Sequence, residues 1–88
     1  MKLFAVAYIS FFDSELTTEI VVAKTIKDAI LDHSKIKGDG VISWIKGMPE
    51  DIFDIKHEFF NVDSMIDVVE IQIICSESAT IELERKDA

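Results

Sequence analysis

From Lys2 to Phe12 the chain is aromatic and β-branched, with no apolar stripe at helical spacing, which predicts a strand. Alternation puts Leu3, Ala5, Ala7, Ile9 and Phe11 on one face and Phe4, Val6, Tyr8 and Phe12 on the other, so both faces are apolar. Asp13-Ser14-Glu15 supplies turn chemistry, and Leu16 to Lys24 reads as a second strand. A short turn between neighbouring strands makes an antiparallel hairpin the simplest pairing. Thr25-Ile26-Lys27-Asp28 then resembles a capping box with Asp in place of Glu. Ile26, Ala29, Ile30 and His33 share one helical face, and Gly38-Asp39-Gly40 ends that helix. Val41, Ile42, Trp44, Ile45 and Met48 make a short amphipathic stretch of one or two helical turns.

Pro49 suits a first helical turn, and Glu50 and Asp51 favour its positive end. The expected second long helix runs to about Asn61 and buries Ile52, Phe53, Ile55, Phe59 and Phe60. Met65 to Cys75 alternates as a third strand, Ser76-Glu77-Ser78 reads as a turn, and Ala79 to Glu84 as an edge strand. The expected fold is a single α+β domain over residues 1–88, in the order β-β-α-α-β-β. Its antiparallel sheet has three to four strands, with helices packed on one face. The other face is expected to carry Val6, Tyr8 and Phe12, more hydrophobic than solvent requires, and such a patch marks an interface.

Composition changes the picture chiefly through charge. The net charge is −8, and residues 1–48 carry six acids against six bases. Residues 49–88 carry eleven acids against three bases and hold the whole imbalance. That half is rich in Ile, Val and Phe, so it is expected to fold with the charge on its surface. On the expected second helix Glu50, Asp54 and Glu58 fall at i, i+4 and i+8, and Asp63 and Asp67 carry the charge onward. Such a row either solubilises a helix face or engages a basic protein surface, and its field repels nucleic acid. Direct nucleic-acid binding is therefore not expected.

Other chemistry is thin. The carboxylates lack the alternating spacing of a calcium loop, and His33 and His57 lack zinc-site spacing. Asp32-His33-Ser34 cannot act as a hydrolytic constellation, because consecutive helical residues do not face one another. The three glycines form no phosphate loop, and no cofactor is expected. Cys75 is the single cysteine, excludes an intrachain disulfide and reads as a buried structural thiol. Leu3 to Phe12 is too short to span a bilayer, and a cytoplasmic protein without membrane contact is expected. Trp44, between Gly40 and Gly47, is either a core lid or an anchor for a partner.

The run MKLFAVAYISFFDSELTTEI, followed by an acidic segment and FFNVDSMIDVVEI, resembles small accessory proteins of tailed bacteriophages. The resemblance implies a non-enzymatic inhibitor of a host defence or nucleic-acid-handling protein, acting in the host cytoplasm. In that reading Glu50, Asp54, Glu58, Asp63 and Asp67 engage a basic host surface, and Trp44 or Tyr8 anchors it. The alternative expectation, from the two-faced first strand, is a self-assembling homo-oligomer that could enclose a small ligand between subunits.

Overall fold

The first hairpin forms as its alternation requires. Strand β1 (Lys2–Ser10) pairs antiparallel with β2 (Leu16–Ala23), from Lys2 opposite Ala23 to Ile9 opposite Leu16. The computed structural model describes residues 1–75 and 81–85, and side-chain surroundings for residues 1–72 other than Asp39. Between the strands, Ser14 donates its N–H to the Ser10 carbonyl (2.8 Å) and adopts φ 56°, while the Asp13 carboxylate accepts from the Glu15 N–H (3.0 Å). Phe11 and Phe12 belong to this turn and are exposed, so the first strand ends two residues earlier than expected.

Helix α1 (Ile26–Asp32) starts where the capping residue predicts: the Thr25 hydroxyl accepts from the Asp28 N–H at 3.2 Å. Ala29 and Ile30 are buried and His33 closes the helix at 2% exposure. The glycines do not end this helix. Gly38 instead caps the next, α2 (Asp39–Lys46), whose Ile45 reaches the core.

The expected long helix over residues 49–61 is not formed. Only α3 (Ile52–Ile55) is helical, and Lys56 turns extended at φ −117° and ψ 144°. Glu58–Phe60 is a strand, β3, paired with β4 (Ser64–Cys75) from Glu58 opposite Asp67 to Phe60 opposite Met65. The cause is the turn that follows. The Asn61 side-chain oxygen accepts from the N–H groups of Asp63 (2.8 Å) and Ser64 (2.7 Å) and from the Ser64 hydroxyl (3.0 Å). The Asn61 N–H donates to the Ser64 carbonyl at 3.0 Å, closing the loop. With the chain folded back, Phe59 enters the core by strand alternation and Phe60 stays out. The Asn-Val-Asp-Ser turn outweighs the helical spacing of the aromatic residues before it.

The fold is α+β, with a five-stranded antiparallel sheet ordered β2-β1-β4-β3. β5 (Ile81–Arg85) pairs with the far end of β4, from Ile71, which also faces Leu3 of β1, to Cys75. The Ala79-Thr80 start expected for that strand and the Ser76-Glu77-Ser78 turn lie outside the described residues. The ribbon of β4 and β5 lengthens the molecule to 46 × 29 × 20 Å. Its radius of gyration is 14.0 Å, against about 12 Å for a sphere-like domain of this length.

The helices cover the face expected to be open. Phe4, Val6, Ile66, Val68 and Phe59 from the sheet pack with Ala29, Ile30, Ile36, Ile45 and Phe53. Tyr8, Val21, Trp44 and Ile52 are partly buried around them. Parity along β1 separates the two faces but does not say which one the chain crosses after β2. Ala23, at 3% exposure, starts that crossing on the Phe4 side, and the helices follow.

Candidate interaction surface

The face left uncovered is built from the other parity of each strand. Register assembles it in four rows across the sheet. Leu16, Ile9, Met65 and Phe60 form one row; Thr18, Ala7, Asp67 and Glu58 the next. Ile20, Ala5 and Val69 form the third row; Val22, Leu3 and Ile71 the fourth. Two rows are wholly apolar, one is polar, and the fourth continues from Ile71 to Arg85 of β5. Leu16 (65%), Ile20 (53%), Val22 (56%) and Phe60 (59%) are exposed. The central residues Leu3, Ala5, Ala7, Ile9 and Val69 are only half-buried by their neighbours in the sheet.

The surface has relief as well as polarity. Ala5 and Ala7 in the middle of β1 leave a shallow trough, flanked by the larger side chains of β2 and of β3 and β4. Glu58 and Asp67 are register partners, and like charges placed directly opposite destabilise a strand pair. Their retention on an otherwise apolar face has a cost of a few tenths of a kcal/mol or more.

The free edge of β2 is closed by the segment after α1. The His33 Nε2–H donates to the Thr17 carbonyl (3.3 Å) and Nδ1 accepts from the Lys35 N–H (3.1 Å), which describes a neutral imidazole. In that form the 3.4 Å approach of the Glu19 carboxylate to Nδ1 is not an ion pair. Glu19 is held by Ser34 instead, accepting from its hydroxyl and from its N–H (3.0 Å). The Ser34 hydroxyl is the main cause that holds the Glu19 carboxyl below its ordinary value of 4.5; the Ser34 N–H and the charge of Lys35 add to it. The His33 ring also takes the edge of Tyr8, with centroids 6.0 Å apart. Tyr8 therefore serves the core side, where it is partly buried.

The acidic residues do not make one stripe. Glu50 and Asp54 lie on the helical side in a cleft of about 350 Å³ with Lys2, Lys24, Lys27 and Glu70. There Lys27 pairs with Glu50 (3.4 Å), lies over the Phe53 ring (5.8 Å) and donates to the Lys46 carbonyl (3.3 Å), while Lys2 pairs with Glu70 (3.6 Å). That cleft neutralises itself. Glu58 and Asp67 lie on the open face, and Asp63 sits in the β3–β4 turn at its end. The helical row expected from Glu50, Asp54 and Glu58 is thereby overturned, because Glu58 is in a strand. Trp44 is partly buried against the core and lines a cavity of about 320 Å³ with Met48, Ile52 and Phe59.

Among the described residues no three or more of His, Cys, Asp and Glu group as a metal site, and no helix is long and apolar enough to cross a membrane. The Cys75 side chain lies outside the described residues. Sequence reasoning missed Leu16, Ile20, Val22, Phe60, Met65 and Val69 as a shared surface. The signal was present in the two apolar faces of β1, one more than a single helical layer covers. No family model matches this chain, and neither a curated protein nor a solved structure matches it.

Proposed function

We propose that this chain is a non-enzymatic interaction module and that the open sheet face is its binding surface. One observation carries the reading: two of the four rows across that face are wholly apolar and a third is apolar as far as Ile71, and Leu16, Ile20, Val22 and Phe60 at its margins are more than half exposed. Soluble monomers rarely leave a contiguous apolar patch of this kind uncovered. The helical side, by contrast, has its core closed, and Lys27 pairs there with Glu50 and Lys2 with Glu70. A photo-crosslinking residue placed at Thr18, on the open face, should give protein adducts in cells. The same residue at Ser43, exposed on α2, should give none. Equal labelling from both positions, or none from Thr18, would sink the proposal.

A second reading is a phage-encoded inhibitor that blocks a basic surface on a host protein. It is favoured by the neighbourhood of Glu58, Asp67 and Asp63, which keeps three of the five acids on or beside the open face. Charge reversal at Glu58 and Asp67 should then remove any host-protein adduct formed from Thr18. Persistence of that adduct would discard the electrostatic mechanism.

A further inference from the structure

Resting on the open face as the binding surface, we propose that its occupant is a second copy of this chain, packed face to face about a twofold axis. The axis runs along the strands between β1 and β4, so that β1 of each copy lies over β4 of the other.

Area is the first argument. The exposed side chains that the face itself presents are Leu16 (65%), Ile20 (53%), Val22 (56%) and Phe60 (59%). Three strands at about 4.8 Å over seven residues at about 3.3 Å, with β3 adding three residues, give the face a flat extent of about 380 Å². Two corrugated copies closing on each other bury on the order of 800–1,000 Å², in the range of weak, transient interfaces. A weak, concentration-dependent dimer follows, of micromolar strength.

Shape and charge choose the arrangement. With the axis along the strands, each row packs on its own reverse. Val69 of one copy fills the trough at Ala5 of the other, and Leu16 meets Phe60. Asp67 lies over Ala7, with its own counterpart displaced sideways by about one strand spacing (about 5 Å) instead of directly opposite, and the Thr18 hydroxyl is set to donate to Glu58. An axis across the strands through the polar row would stack Asp67 on Asp67 in a low dielectric, which is costly. Extension of the sheet through β2 is obstructed, because His33 occupies the Thr17 carbonyl and Ser34 holds Glu19 at that edge.

Sedimentation equilibrium of the full chain should show monomer at about 1 µM and mostly dimer at about 500 µM. Ile20→Lys and Ala5→Lys, each on the open face, should weaken that dimer by about 30-fold or more while leaving the far-ultraviolet circular dichroism unchanged. In a Cys75→Ser background, a mixture of Thr18→Cys and Glu58→Cys chains should form a disulfide-linked pair that neither forms alone. A wild-type chain still monomeric at about 500 µM overturns the proposal. So does a dimer indifferent to both lysine substitutions. A monomer whose Thr18 crosslinks to a foreign protein would reject the second copy and leave the binding surface standing. A monomer with no Thr18 adduct would reject both.

Discussion

Asn61→Ala should unfold the β3–β4 turn more severely than its half-buried setting suggests. The Asn61 side-chain oxygen accepts three hydrogen bonds, from the N–H groups of Asp63 and Ser64 and from the Ser64 hydroxyl. Asp63 is exposed and water can replace its bond, so that loss is worth about 0.5 kcal/mol. Ser64 is 1% exposed, and alanine at 61 would leave both of its donors buried without an acceptor. An orphaned buried donor costs about 1–3 kcal/mol, so the sum is about 2–4 kcal/mol after partial relaxation. A domain of this length holds only about 4–13 kcal/mol in total. The assay is urea unfolding followed by Trp44 fluorescence, with an expected slope of about 1 kcal/mol per molar. The midpoint should fall by about 2 M or more. Asn61→Asp keeps the acceptor and should lose less than half as much. A midpoint shift under about 0.5 M for Asn61→Ala would refute the reasoning, because the turn would then not be what holds β3 in register.

Three further outcomes are expected. Ile45→Ala removes a fully buried side chain between α2 and the sheet and should cost about 2–5 kcal/mol in the same urea assay. The Glu19 carboxyl is lowered when folded, so its contribution is fully present above its ordinary value of 4.5 and is lost as pH falls through the lower folded value; Ser34→Ala should flatten that acid limb of the stability–pH curve. Ser14→Gly relieves a positive φ of 56° at the hairpin turn and should change stability by no more than about 1 kcal/mol, with thermal unfolding showing either a small gain or no loss.

Local chemistry was legible wherever a short-range rule had no competitor. The β1–β2 hairpin, the Thr25 cap and the inward face of α1 all follow from spacing and turn residues within a few positions. Residues 49–61 were not legible in the same way. Ile52, Phe53, Phe59 and Phe60 satisfy a helical stripe, yet Phe59 also satisfies strand alternation, and only pairing with Ile66 selects the strand. The acidic stripe failed with that helix, since it existed only at helical spacing. Trp44 was open between lid and anchor because a single sequence does not say which side of α2 the core lies on.

The sequence by itself determined the α+β class, the first hairpin, and that β1 must be apolar on both faces. It also determined that the charge excess falls in residues 49–88. Only the tertiary structure decided which face the helices cover, because parity labels two faces without ranking them. The side taken by the chain after Ala23 makes that choice. The same event leaves Leu16, Ile20 and Val22 in solvent and sends Glu50 and Asp54 to one side of the sheet, with Glu58 and Asp67 on the other. Surfaces belong to residues distant in sequence, and their composition is settled by crossings and register that no local pattern encodes.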